Sequence, residues 1–366
     1  HQPMLSANGR FVISYNGEIY NFSEIKTELQ KLGFTTWRGR SDTEVILAAI
    51  EHWGLQDALI RFRGMFAFAL WDKEQNSLHL SRDRIGEKPL YYGWMGGVLV
   101  FGSELKALRK HPAWKGEVDP DTLALFMQYG YVPTPHSIYK NIFKVQPATI
   151  ATFNQNNMSS LVLPTVETYW QAAKLAQEGE ANPVLNDEAT AIDHLDRLLE
   201  VSVKQQMIAD VPLGAFLSGG VDSSTIVAYM QKQSSRPVKT FTIGFREENY
   251  NEAVYAKEVA RHLGTDHTEL YVSAEQAMEV IPKIPIIYDE PFSDSSQIPT
   301  YLISQLTRKK VAVSLSGDGG DELFGGYNRY FWGSSIWGKI GKIPPQPRKL
   351  LAQIISSVPP SGWDDI

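Results

Sequence analysis

Apolar residues recur along this chain with two different periods, and the changes between them mark its elements. Residues 11–15 read as a strand. Phe22, Ile25, Leu29 and Leu32 then fall three or four apart, the spacing of one helix face, opened by Asn21 with Glu24 three residues later and closed by Gly33. A second helix is predicted over 43–53 with Gly54 as its stop. Short apolar runs at 65–71, 78–81, 90–94 and 98–101 follow closely enough to predict antiparallel pairing, so the first part of the chain reads as α+β.

From 154 to 186 the pattern turns polar and irregular, with Asn154-Gln155-Asn156-Asn157 and later Gln177-Glu178-Gly179-Glu180, and a linker is expected there. Beyond it Ile192, Leu195, Leu199 and Val203 mark a helix, 238–243 a strand, Ala256, Val259, Ala260 and Leu263 a helix ended by Gly264, and 269–272 a strand. Two further apolar runs, 215–217 and 311–315, read as buried strands. Strand alternating with helix predicts an α/β domain with a parallel sheet covered on both faces. Two domains are expected, 1–165 and 187–366.

Each of those last two runs leads into a glycine-rich loop, where open α/β sheets bind ligands. In Ser218-Gly219-Gly220-Val221-Asp222-Ser223-Ser224 the glycines let backbone N–H groups approach an anion, the serines add hydroxyl donors, and Ile226, Val227 and Met230 predict a helix whose N-terminus favours negative charge. No lysine stands where the common mononucleotide loop has one. Asp222 inside an anion site requires an intervening cation, which makes it a candidate Mg²⁺ ligand. Alone, S-G-G is as compatible with a plain strand-to-helix turn. The full S-G-G-x-D-S pattern points instead to enzymes that cleave ATP to AMP and pyrophosphate. In Ser316-Gly317-Asp318-Gly319-Gly320-Asp321-Glu322 three acids lie within five residues, an arrangement that repels itself unless cations or cationic substrates compensate.

Composition sets limits rather than a function. With 366 residues, 43% hydrophobic and 21% charged, the chain is an ordinary globular protein of more than one domain. A formal charge of −6 disfavours nucleic acid and anionic membrane as partners, and apolar stretches such as 65–71 are too short to span a bilayer. With no targeting segment visible, a cytoplasmic, ATP-supplied setting is the default expectation. The eight histidines form no H-x-x-x-H pair, so no zinc site is expected, and His262 and His267 read as helix-end or surface residues. There is no cysteine.

Six motifs, met in order, carry a resemblance: Asn16-Gly17-Glu18-Ile19-Tyr20-Asn21, Ser41-Asp42-Thr43-Glu44, the segment from Arg82-Asp83-Arg84-Ile85-Gly86-Glu87 to Lys88-Pro89-Leu90-Tyr91-Tyr92, the first glycine loop, Tyr288-Asp289-Glu290-Pro291, and the second loop continuing to Leu323-Phe324-Gly325-Gly326-Tyr327. By these the chain resembles the glutamine-dependent asparagine synthetases almost end to end. The resemblance implies an N-terminal-nucleophile-type α-β-β-α sandwich followed by a doubly wound parallel α/β domain, both incomplete. It implies amidation of aspartate through an acyl-adenylate, with ATP and Mg²⁺ and with glutamine as nitrogen donor, and it leaves a homodimer open.

Carried over residue by residue, Asn16 and Gly17 resemble the oxyanion hole of the glutaminase, and Glu18 and Asp42 the partners of the glutamine α-ammonium. Asn-Gly alone is also the strongest two-residue hairpin signal. Ser218, Gly219, Gly220, Asp222, Ser223 and Ser224 match the pyrophosphate and metal positions. Leu217, Ile243, Ser316 and Gly317 match positions near adenosine and the α-phosphate. Asp321 matches a second acid near the metal, and Asp318 stands where better-known members carry Glu, one methylene longer. Arg82, Asp83, Arg84, Glu87 and Lys88 are expected to form a structural ion-pair network at the domain contact. The family nucleophile is an N-terminal cysteine; since this chain has none, the expectation is a piece of a longer protein, without glutaminase activity by itself. Two other readings remain: an amidotransferase of the same mechanism acting on another carboxylate such as a sugar uronate, and a non-catalytic nucleotide-binding protein.

Overall fold

The computed structural model describes residues 2–158, 161–183, 187–245 and 252–359. In its first half the strands are β1 (Met4–Leu5), β2 (Phe11–Ile19), β3 (Gly64–Asp72), β4 (Ser77–Arg82), β5 (Tyr91–Met95), β6 (Val98–Gly102), β7 (Ile142–Lys144), β8 (Thr149–Phe153) and β9 (Thr165–Thr168). They form a six-stranded antiparallel sheet in the order β1-β2-β3-β4-β8-β9 and a three-stranded sheet in the order β6-β5-β7.

The alternation of β3 dictates how these layers stack. Phe66, Phe68 and Leu70 point to one face and pack with Ile25 and Leu29 of helix Phe22–Lys31 and Ile46 and Ile50 of helix Asp42–Trp53. Ala67 and Ala69 on the opposite face are small enough to admit Tyr92 and Trp94 of the second sheet, with Phe153 between. The second sheet in turn lays Tyr91 and Met95 against Leu105 and Leu108 of the short helix Leu105–Leu108. Helix, sheet, sheet and helix succeed one another, the α-β-β-α layering implied by the resemblance.

The second half has four strands, β10 (Leu213–Phe216), β11 (Lys239–Phe245), β12 (Asp266–Val272) and β13 (Val313–Leu315), all parallel, in the order β12-β11-β10-β13. Helices Val221–Gln233 and Ala253–Leu263 cover one face through Val227, Met230, Ala256 and Ala260, packed on Ala215 and Leu217. Helix Gln297–Thr307 covers the other, its Leu302 set among Val272, Val280 and Ile243. This is the doubly wound α/β arrangement expected from the alternation.

Three local readings change. Asn21 does not cap its helix with its side chain; the amide instead donates to Arg61 O at 3.0 Å and accepts from Arg63 N–H at 2.9 Å. The helix starting at Glu188 forms, yet Ile192 and Leu195 on its expected core face are 59% and 38% exposed and only Val203 is buried. Within the expected linker, part of which lies outside the described residues, β9 pairs with β8 and helix Ala172–Ala181 follows. Among the described residues no helix is long and apolar enough to cross a membrane.

Candidate functional site

The chain order of the parallel sheet reverses at β10: β11 and β12 lie to one side of it and β13 to the other. Such a reversal leaves a crevice beyond the carboxyl ends of β10 and β13, because the connections leave in opposite directions. Both glycine loops follow those strand ends. A cleft of about 500 Å³ lies there, lined by Leu217, Ser218, Asp222 and Ser223 from the first loop, Thr242 and Ile243 from β11, and Ser316, Gly317, Asp318 and Asp321 from the second.

The two loops interlock through their glycines. A Cβ on Gly317 would stand 2.7 Å from the backbone nitrogen of Ser223, and one on Gly320 2.6 Å from the Asp222 carboxylate, so no larger residue permits the approach without movement. Gly219 takes φ +82°, and Gly220 is the N-cap of helix Val221–Gln233. Ser223 ties the turn together: its Oγ accepts from the Ser218 N–H at 3.1 Å and lies 2.9 Å from Ser218 Oγ. The first turn of the helix borders the cleft, and its N–H groups and dipole favour an anion there.

Of the acids, Asp318 accepts from Ser316 Oγ at 3.0 Å. Asp222 is half-buried, and its carboxylate makes no hydrogen bond or ion pair among the described residues. Asp321 packs its Oδ1 against Gly326, where a Cβ would overlap it. Glu322 accepts from Tyr327 Oη at 2.8 Å, and this bond pushes the tyrosine up to about 12. Among the described residues no group of three or more ligating side chains is gathered. A magnesium ion carried by a nucleotide needs no such cage, since it takes one or two carboxylates and completes its octahedron with phosphate oxygens and water. Asp222 and Asp321 on one cleft fit that demand.

Ser224, also expected beside the pyrophosphate, does not line this cleft itself. One helical step beyond Ser223, it lines a separate groove with Thr225, Ala228 and Val259, and its Oγ is buried with no partner among the described residues. Gly219 borders the same groove, and Gly220 lines neither. The cleft also has a wall the motifs did not reveal, Pro299, Thr300 and Ile303 of helix Gln297–Thr307. The only sequence signal for it was the polar Asp294-Ser295-Ser296 ahead of an apolar run.

In the first half, Asn16 and Gly17 lie in the body of β2, opposite Ala67 and Phe66, and not in a hairpin turn. A Cβ on Gly17 would sit 2.2 Å from Met65 O. The exposed Asn16 side chain donates from Nδ2 to Ser103 Oγ at 3.0 Å. Asp42, at the start of helix Asp42–Trp53, accepts from Tyr15 Oη at 2.8 Å and from the Ile19 N–H at 3.0 Å, which fixes it behind the strand that carries Glu18. Burial, then the Asp42 charge and that of Asp210 from the second half, raise the Glu18 carboxyl above its usual range. Two crowded carboxylates, one of them open to solvent, make a place that gains from a cation.

The Arg82–Lys88 segment is structural, but not as an ion-pair network. Asp83 is fully buried and accepts from the N–H groups of Phe66, Ile85, Gly86, Glu87 and Lys88. Arg82 donates to the carbonyls of Gly86, Lys88 and Val145. Both side chains satisfy backbone, and among the described residues the segment makes no ion pair.

Residues 1–170 match the glutamine amidotransferase domain family and residues 194–360 the asparagine synthase family. A relative from Methanocaldococcus jannaschii is 40% identical over 324 residues, 86% of this chain and 59% of that protein. Asparagine synthetase [glutamine-hydrolyzing] 1 of Bacillus subtilis is 36% identical over 98% of this chain and 54% of its own length, and asparagine synthetase B [glutamine-hydrolyzing] of Escherichia coli is 31% identical over 89% and 54%. The chain thus spans a little over half the length of these relatives. Among solved structures, an allosteric regulatory enzyme of purine biosynthesis overlays with a TM-score of 0.35 at 15% identity, covering 74% of this chain and 62% of that one, a likeness too remote to carry an argument. With two consecutive domain matches and relatives of one kind along nearly its whole length, the chain belongs to the glutamine-hydrolysing asparagine synthetase family.

Proposed function

We propose that the chain provides the ATP cleft and the glutamine pocket of an enzyme that amidates aspartate to asparagine. The observation that carries this reading is the interlocked pair of glycine loops at the reversal of the parallel sheet, with Asp222, unpartnered among the described residues, between them. Leu217, Ile243, Ser316 and Gly317 are assigned to adenosine and the α-phosphate, and Ser218, Gly219, Gly220 and Ser223 to the pyrophosphate. Ser224, which borders the neighbouring groove as Gly219 does, is assigned with it to the pyrophosphate. Asp222 and Asp321 would hold a magnesium ion, which would supply charge neutralisation for the departing pyrophosphate.

Bound this way, ATP presents its α-phosphorus to the acceptor. A carboxylate oxygen of aspartate attacks that phosphorus, the bond to the bridging oxygen of pyrophosphate breaks, and an acyl-adenylate forms. Ammonia attacks the acyl carbon, loses a proton, and AMP leaves. Asp318 and Asp321 are assigned as the acids beside this exchange; Asp318 is tied to Ser316 Oγ, which limits its reach. In the first half Asn16 and the Gly17 N–H would stabilise the glutamine oxyanion, and Glu18 and Asp42 would bind its α-ammonium. Residues 1–165 and 187–366 are the two working units.

Titration calorimetry of the 366-residue chain with Mg-ATP tests the cleft, and failure to bind removes the reading. Formation of asparagine, AMP and pyrophosphate from aspartate, glutamine and ATP by the full-length gene product tests the reaction. Nucleotide binding without AMP formation on any carboxylate would favour a binding protein.

A further inference from the structure

The Tyr288-Asp289-Glu290-Pro291 motif lines neither the cleft nor the glutamine pocket. Its two carboxylates reach across to the first half instead. Asp289 Oδ2 accepts from the Leu105 N–H at 2.6 Å and Oδ1 from the Lys106 N–H at 3.2 Å. Lys106 Nζ closes the contact at 3.7 Å from Asp289 and donates to Ile287 O at 3.2 Å. Glu290 pairs with Lys144 Nζ at 2.5 Å, both side chains nearly buried, and accepts from the Ile138 N–H at 2.8 Å and from Tyr91 Oη at 3.4 Å. The Ser293 N–H donates to Gly130 O at 2.6 Å. Most of these bonds have a charged partner, and charge-assisted bonds are the strong, directional ones.

The far ends of this contact are the two candidate sites. Ser103, the acceptor of the Asn16 amide, stands two residues before Leu105, which donates to Asp289. Nine residues beyond Glu290 come Pro299 and Thr300 in the cleft wall, on a helix that Leu302 anchors in the core of the second half. One stretch of chain is therefore fixed to the first half at 289–290 and to the second at 302.

We propose that Asp289 and Glu290 are positioning residues that lock the second half onto the first and set the register of the glutamine pocket against the ATP cleft. The consequence for turnover rests on the function proposed above, since the register matters only if ammonia made in one half is used in the other. The lock itself does not depend on that reading. It requires only that these carboxylates, rather than diffuse surface contact, hold the halves in one orientation.

Because the chain has no cysteine, Gln30→Cys and Ser235→Cys place two nitroxide labels, one on each half, with no background thiol. Pulsed dipolar spectroscopy of the labelled chain should give one narrow distance distribution. In Asp289→Asn or Glu290→Gln its width should at least double while circular dichroism stays unchanged. Should the orphaned Lys144 charge prevent Glu290→Gln from folding, the double variant Lys144→Met/Glu290→Gln removes both charges and should show the same broadening. An unchanged width in a folded variant overturns the lock. In the full-length gene product the same variants should raise the ratio of glutamate released to asparagine formed several-fold while leaving ammonia-dependent synthesis unchanged; equal loss of both activities would reduce the pair to a folding role. A gene product that makes no amide from either nitrogen source defeats the proposed function, and the distance measurement still decides the lock.

Discussion

The contact between the two glycine loops can be probed with a single methyl group. Gly317→Ala would put its Cβ 2.7 Å from the Ser223 nitrogen and 2.9 Å from the Asp222 carbonyl carbon. These are backbone atoms at the start of a helix and cannot swing aside. The backbone of Gly317 itself is not left-handed, so the alanine suffers from contact and not from its own torsion angles. Overpacking of this kind costs about 1–3 kcal/mol. If the loops stay together, the strain appears as lost stability, partly offset by about 0.4–1 kcal/mol from the stiffer unfolded chain. If they part in the free protein, they must be driven together again by ATP, and affinity falls by roughly five- to 150-fold. The two losses should sum to the steric cost less that offset. Urea denaturation and calorimetry with Mg-ATP measure each part, with Gly333→Ala as control, since a Cβ there meets nothing within 4 Å. If the Gly317 variant keeps both the parent's stability and its ATP affinity, the interlocking of the loops has no energetic content and the cleft must be described differently.

Four further outcomes are expected. Asp222→Asn should weaken Mg-ATP binding about tenfold, equivalent to about 1.4 kcal/mol, and make the remaining affinity indifferent to chelation of magnesium, read by the same calorimetry. Asp83→Ala strands five backbone donors around a buried site and should destabilise the chain by at least about 3 kcal/mol in urea denaturation. Asp72 should make stability acid-sensitive: burial alone would raise its carboxyl, but the Arg10 guanidinium at 2.6 Å and the Gln75 and Glu74 N–H groups hold it below its usual range. Its contribution is present above the unfolded value and lost as pH falls through the folded one, so denaturation midpoints should drop as the pH is taken below the ordinary carboxylate range, and less steeply in Arg10→Met. The 366-residue chain, which has no thiol, should release no glutamate from glutamine above a protein-free control, and release abolished by Asn16→Ala would contradict this.

How much of this was legible in the sequence depended on how local each demand is. The four early strands and the helix Asp42–Trp53 could be read because the apolar runs and the Gly54 stop lie in or beside the elements they mark. Asn21 misled because its amide answers Arg61 and Arg63, forty residues away, and not the helix it precedes. The exposed Ile192 and Leu195 show the same limit: spacing marks a helix face but not whether anything covers it.

The same distinction separates the two carboxylates of the cleft from the two of the interdomain contact. Asp222 could be singled out because a charge amid glycines and serines contradicts its own surroundings, and the contradiction is visible within seven residues. Asp289 and Glu290 raise no such contradiction locally. Glu290 lies 152 residues from the Ile138 N–H it accepts, and Asp289 lies 184 residues from that of Leu105. Neither pairing follows from a residue type or a spacing; both follow from how two folded halves meet. Acids that serve a site can therefore be found by what is wrong with their neighbours in sequence, whereas acids that hold domains together look ordinary until the donors facing them are known.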